Sequence, residues 1–200
     1  MQLEKKTYNA IIIGTSAGGK DAIIDLLVSL PSNLNVPIVI VQHLAASSAN
    51  YLATLLKKHS PLLVREVISN LPITAGIIYT APANYHLLFS ENNRFNLSVD
   101  PPYNFSRPSI DFSFYSALDF YDDKLIAIIL SGANSDGMDG LKQVKEAGGL
   151  VIVQDPKTAS SSIMPKMAIR NADPEFILSP KQIGEFLTEL NINKQLIPLK

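Results

Sequence analysis

The sequence predicts an α/β domain of three layers. A doubly wound, mostly parallel sheet is covered by helices on both faces and carries an antiparallel β-hairpin at one edge. Three observations predict this. Short apolar runs rich in β-branched residues recur at 10–13, 36–42, 125–130 and 150–153, the pattern of strands buried on both faces. The segments between them place apolar pairs three and four apart, the spacing of amphipathic helices. Strands and helices that alternate in this way give a parallel sheet with right-handed crossovers. A chain of 200 residues fits one domain, and 46% apolar residues suffice for its core. The expected limits are a tail over 1–9, the domain over 10–191 and a second tail over 192–200.

The first strand is Ala10-Ile11-Ile12-Ile13, and a Gly-rich turn, Gly14-Thr15-Ser16-Ala17-Gly18-Gly19-Lys20, follows at once. Helical spacing runs over 21–27 and stops at Pro31-Ser32-Asn33. The second strand spans 36–42, with His43 at its C-terminal end. Residues 47–59 read as a helix with Tyr51, Leu52, Leu55 and Leu56 on one face. Strands follow at 62–67 and 76–82, the latter closed by Pro82, which cannot continue a ladder. Residues 86–89 and 95–99 flank Glu91-Asn92-Asn93 as a hairpin. The Pro-rich stretch 100–109 is long and carries Tyr103 and Phe105, so it is expected to shape a site. Ser109 can cap a helix over 110–120. The strand at 125–130 runs into a second polar turn, Ser131-Gly132-Ala133-Asn134-Ser135-Asp136-Gly137. A helix over 141–147 is stopped by Gly148-Gly149, and the strand 150–153 follows. A loop over 154–162, a helix over 165–170, a strand over 176–178 and a helix over 180–190 complete the chain.

A net charge of −1 offers nothing to attract nucleic acid or an anionic membrane. The apolar runs are strand-sized, too short to span a bilayer. Residues 1–9 lack the pattern of a signal peptide. Without cysteine there is no disulfide, thiolate chemistry or Cys-based metal site. The expectation is a cytoplasmic, monomeric protein without membrane insertion.

In parallel sheets, ligands gather beyond the carboxyl ends of the strands. Ser16, His43 and Asp136 each follow the C-terminal end of an expected strand, so topology brings them to one edge. Gly14-Thr15-Ser16-Ala17-Gly18 satisfies the nucleophile-elbow pattern Gly-x-Ser-x-Gly. Two other readings of this turn stand beside it. Gly14 and Gly19-Lys20 approach a phosphate loop, but Asp21 occupies the Ser/Thr position that would hold magnesium and repels phosphate. The third reading is a turn of small residues without chemistry.

A serine needs a base to take its proton. Of three histidines, His59 lies beside Lys57 and Lys58 on a solvated face. His86 starts the hairpin and has a structural role or lines the site's edge. His43 alone ends a buried strand at the right edge. A histidine base needs a carboxylate to fix its tautomer. Asp136 fits, although such an Asp also serves as an N-cap for a helix from 137 onward, and Asp139 is the weaker rival because such a helix would contain it. The order Ser, His, Asp differs from the Ser, Asp, His order of α/β-hydrolases, which places the constellation on another doubly wound fold.

At these residues the chain resembles the catalytic domain of the CheB-type protein-glutamate methylesterases of chemotaxis. The resemblance runs from about Ala10 to Leu190. It rests on Gly14-Thr15-Ser16-Ala17-Gly18-Gly19, Val41-Gln42-His43-Leu44, Tyr79-Thr80-Ala81-Pro82 with His86, and Arg107-Pro108-Ser109-Ile110-Asp111. Leu130-Ser131-Gly132 with Asp136-Gly137, Gln154-Asp155-Pro156-Lys157-Thr158-Ala159 and Met164-Pro165 complete the ordered set. It implies hydrolysis of γ-glutamyl methyl esters on the cytoplasmic helices of chemoreceptors, with some members also deamidating receptor glutamines. It implies Ser16 as nucleophile, His43 as base and then acid, and Asp136 as orienting carboxylate. Ala17 and Ala133 fall at the oxyanion positions, while Thr15, Gly18 and Arg107 fall at the substrate side. No metal or organic cofactor is implied, and the partner is a methylated receptor rather than nucleic acid. The family's Met-Gly stands here as Ala133-Asn134, its Pro-Gly as Ala75-Gly76 and its Gly-Met-Pro as Ile163-Met164-Pro165; Ser69-Asn70 replaces an Asp-Gly pair. The receiver domain that usually precedes this domain is not expected, because nine residues precede the first strand; the chain is then a stand-alone esterase or a piece of a longer one. Two other functions remain compatible: a silent signalling or docking module of this fold, and an esterase acting on another substrate.

Overall fold

The computed structural model describes residues 6–45, 50–90 and 92–198. Expectations that fall on 1–5, 46–49, Glu91 and 199–200 lie outside the described residues. The elements in order are β1 (Ala10–Thr15), α1 (Gly19–Leu27), β2 (Ile38–Gln42), α2 (Tyr51–Leu56), β3 (Leu63–Glu66), β4 (Ile77–Thr80), β5 (His86–Ser90) and β6 (Arg94–Ser98). They continue with α3 (Ile110–Tyr121), β7 (Leu125–Ile129), α4 (Met138–Glu146), β8 (Leu150–Gln154), α5 (Ile163–Ala172), β9 (Phe176–Leu178) and α6 (Pro180–Ile192). No helix among the described residues is long and apolar enough to cross a membrane.

Seven strands form a parallel sheet in the order β3-β4-β2-β1-β7-β8-β9. The order reverses at β1, which leaves a crevice at its carboxyl end. β1 is buried along its whole length, and its side chains alternate between two cores. Ile11 and Ile13 pack with Ile23, Leu26 and Leu27 of α1 and with Ile183 and Leu187 of α6. Ala10 and Ile12 pack on the other face with Phe114 of α3, Leu141 of α4 and Met164 of α5. Each isoleucine fully removed from water contributes ~1.5–3 kcal/mol. β1 can therefore hardly shift, and the turn leaving it is anchored.

The hairpin β5–β6 is a two-stranded sheet of its own, hydrogen-bonded to itself and not to the seven-stranded sheet. Its reason is side-chain burial. Leu87, Phe89 and Phe95 all face the second core, and Phe95 meets Tyr79 edge-on at 4.8 Å. That demand lays the hairpin over the face instead of extending the edge. Its outer strand finds partners in the chain before β4, where Asn70 N–H donates to Phe95 O and Phe95 N–H to Leu71 O.

Two serines cap helix starts, of which Ser109 is expected from the sequence and Ser179 is not. Ser109 Oγ accepts from Phe112 N–H at 3.3 Å, and Ser179 forms a capping box with Gln182. α4 begins three residues before the periodic stretch at 141, because Gly137, at φ 95, turns the chain there.

Candidate active site

The turn after β1 is built by its glycine and by the neighbouring strand. Gly18 takes φ 75 and ψ 3, the third position of a type II turn, and Gly19 N–H closes that turn on Ser16 O at 3.0 Å. A side chain at Gly18 would strike Ser160 as well as strain the backbone. Ser131, just beyond β7, clamps the turn from the side. Its carbonyl accepts from Ser16 N–H at 2.9 Å and from Thr15 Oγ1 at 2.7 Å, and its hydroxyl donates to Ala17 O at 2.7 Å. Thr15 is thus buried with its hydroxyl engaged, whereas Ser16 is half-buried and Ala17 exposed. No described residue accepts from the N–H of Ala17 or Ala133.

Register brings the histidine alongside. Thr15 pairs with Gln42 across β1 and β2, and His43 N–H donates to Thr15 O at 3.2 Å. Ser16 and His43 therefore leave adjacent strands at the same level. His43 Nε2–H donates to Asp136 Oδ2 at 2.8 Å. Its Nδ1 lies 3.2 Å from Asn134 Nδ2 and 3.5 Å from Ser106 Oγ. The expected contact between Ser16 Oγ and His43 is not among the hydrogen bonds of the described residues.

Asp136 does not cap the helix that follows it. It is almost fully buried over the N-terminus of α3 instead. Oδ2 accepts from Ile110 N–H at 2.7 Å, and Oδ1 from Ser109 Oγ at 2.9 Å and Asp111 N–H at 3.2 Å. Burial by itself raises a carboxyl's pKa. The His43 hydrogen bond and the N–H groups of Ile110 and Asp111 outweigh it and hold Asp136 below its ordinary 3.8. The positive end of α3 favours the same charge.

The loop between the hairpin and α3 supports this cluster. Ser109 N–H donates to His86 Nδ1 at 3.2 Å, and His86 Nε2–H donates to Pro101 O at 3.2 Å. His86 is thus a buried strut under the loop. Arg107 ties the same loop together, donating to Asn84 Oδ1, Val99 O and Asp100 O at 2.6–3.1 Å. Asn104 and Phe105 both have positive φ, 48 and 63, in a two-residue turn between Tyr103 and Ser106. That turn leaves the Phe105 side chain entirely in solvent.

Asp111 is a second buried carboxyl, accepting from Gly140 N–H at 2.8 Å and Asn104 Nδ2 at 3.1 Å. Burial, and then the charge of Asp136, push it up from 3.8 to about 6 against the pull of the Gly140 N–H. The native protein then keeps a proton here that the unfolded chain releases near its ordinary value. The resulting stabilisation is complete below pH ~4 and is lost as pH rises through about 6. Asp136 acts oppositely, its contribution present above 3.8 and lost as pH falls through its lower native value. In denaturant titrations from pH 4 to 7, Asp111→Asn is expected to lack a decline worth up to ~3 kcal/mol in the parent. Identical pH profiles for the two proteins would contradict this account of the pair.

A family model described as CheB methylesterase matches residues 11–187. A Leptospira interrogans protein, catalogued provisionally as a protein-glutamate methylesterase/protein-glutamine glutaminase, is 45% identical over 186 residues, 93% of this chain and 96% of that one. A Thermotoga maritima protein-glutamate methylesterase/protein-glutamine glutaminase is 36% identical over 183 residues, which cover 90% of this chain and 53% of the relative. The crystal structure of the Thermotoga maritima CheB methylesterase catalytic domain matches with a TM-score of 0.88 at 34% identity, covering 92% of this chain and 99% of that one.

Proposed function

The chain belongs to the CheB methylesterase family, and on that premise we propose that it hydrolyses γ-glutamyl methyl esters of chemoreceptors to glutamate and methanol, with Ser16, His43 and Asp136 as its triad. The observation that carries this reading is the His43–Asp136 hydrogen bond at 2.8 Å, made between residues that follow the two strands flanking β1, which presents Ser16. Ser16 Oγ attacks the ester carbonyl while His43 Nδ1 takes its proton. The N–H groups of Ala17 and Ala133 receive the negative charge on the carbonyl oxygen, a role worth ~10²–10³ in rate per donor. His43 returns the proton to the departing methoxide, which leaves as methanol. Water, deprotonated by the same Nδ1, attacks the acyl-serine, and His43 returns that proton to Ser16 Oγ as the bond to it breaks and glutamate leaves. Asp136, held charged by its N–H donors, steadies the imidazolium throughout. Thr15, Gly18 and Arg107 contribute from behind, holding the turn and the 100–109 loop in place.

The site's open rim suits a protein substrate. Phe105 stands wholly exposed on a strained turn, next to Ser106 beside His43. A non-glycine residue at positive φ carries a cost that contact with a partner can offset. The receptor helices that bear the ester are cytoplasmic, so the enzyme works there. The relatives' names include protein-glutamine glutaminase, and the same acyl-serine route releases ammonia from a glutamine side chain. The decisive measurement is methanol release from a methylated receptor fragment set against a panel of small esters. Turnover of the receptor is the expected result. Clear preference for a small ester would reassign the substrate, and no release from any ester would leave a silent docking module.

A further inference from the structure

Asn134 lies in the 131–137 turn, between the residue expected to donate to the oxyanion and the carboxylate. Its Oδ1 accepts from Asp136 N–H at 3.3 Å, a side-chain bond to the backbone two residues on. That bond decides which way the amide faces. The NH₂ end is then the one 3.2 Å from His43 Nδ1. On the far side of the ring, Nε2 faces Asp136 Oδ2, and an ionised carboxylate only accepts. The ring proton is therefore on Nε2, and Nδ1 presents a lone pair.

Nδ1 has one lone pair in the ring plane. Asn134 donates to it at 3.2 Å, nearer than Ser106 Oγ, which stands 3.5 Å off and is also directed to Asn104 O, and Ser16 must donate to the same lone pair before its hydroxyl can lose a proton. The two cannot do so together. No described residue is hydrogen-bonded to Ser16 Oγ, while Asn134 is engaged. Taking His43 as the base, we propose that Asn134 is a positioning residue that caps His43 Nδ1 in the free enzyme and holds the ring in its Nε2–H tautomer. Ser16 is then activated only when Asn134 yields the lone pair. Asn134 thus limits how readily Ser16 reacts before a substrate is seated.

The test uses the full chain, its Asn134→Ala and Asn134→Asp variants, and two readouts. The first is the ¹⁵N resonance of His43 Nδ1 in the free protein. Loss of the donor in Asn134→Ala is expected to move it toward that of an unbonded lone-pair nitrogen; an unmoved resonance overturns the proposal. The second is the rate at which a fluorophosphonate labels Ser16. Asn134→Ala is expected to react about fivefold faster, the net worth of one such hydrogen bond. Asn134→Asp keeps the acceptor for Asp136 N–H but sets a carboxylate against Nδ1, which draws a proton onto it, so labelling is expected to fall. A role exercised only through Asp136 would leave Asn134→Asp like the parent, and that result, or no acceleration in Asn134→Ala, overturns the proposal. If none of the three proteins is labelled, the assignment of Ser16 fails, and the Nδ1 resonance still decides whether Asn134 caps the ring.

Discussion

Ser16→Ala is expected to lower methanol release from methylated chemoreceptor by ~10⁴-fold or more while the fold stays intact. The size follows from the chemistry. In the proposed mechanism no acyl-enzyme forms without the hydroxyl, and the base and the backbone donors are left to act on water alone. Residues that act as one unit lose nearly everything when one is removed. The fold should be indifferent because the backbone builds the turn: Ser16 N–H is bonded to Ser131 O and Ser16 O to Gly19 N–H. The side chain is half-buried and takes part in neither bond. A variant that keeps its circular dichroism and thermal midpoint but releases no methanol is the expected outcome. Release at the parent's rate would remove Ser16 from the mechanism.

Asp136→Asn is expected to be nearly as severe for a different reason. Every group around the carboxylate is a donor: His43 Nε2–H, Ile110 N–H, Asp111 N–H and the Ser109 hydroxyl. An amide in that place must point its NH₂ at one pair of donors. If it faces His43, the ring must accept at Nε2 and carry its proton on Nδ1, where it can no longer serve as a base. The same exchange of tautomer in serine proteases costs ~10⁴ in kcat. If the NH₂ faces Ser109 and Asp111, a buried N–H goes unmatched, costing ~1–3 kcal/mol. Combined stability and rate measurements separate the two arrangements. A variant with parental activity and stability would show that the carboxylate orients nothing.

Much of this arrangement is legible in the sequence, because its chief signals are local. The glycines around Ser16, the apolar run before it and the helical spacing after it describe one strand-turn-helix unit. His43 follows from the end of the next buried run, and parallel pairing then sets it beside Ser16. What escaped is non-local. Asp111 reads as an ordinary acidic residue in a helix's first turn, yet it is fully buried, because Gly140 lets α4 come close against α3. An added Cβ at Gly140 would strike Phe114 and crowd the Asp111 backbone. That glycine, within what proves to be a helix, was the available sign of close approach. Ser109 was legible as a cap but not as a donor to Asp136, since the bond spans two elements. The hairpin's pairing was hidden for a similar reason: the alternation of Leu87, Phe89 and Phe95 calls for burial without saying against which layer.

The placement of β7 beside β1 also has a consequence in time. A chain leaving the ribosome displays Ser16 and His43 long before Ser131 and Asp136 exist, and Thr15 meets Ser131 across 116 positions. Pairings that distant form slowly, because the intervening loop must close first. The nascent serine therefore sits on an unclamped turn, beside an imidazole with no carboxylate to orient it. Chemical competence arrives with the last long-range contact rather than with the first strand, so a half-made chain has no assembled site to act with.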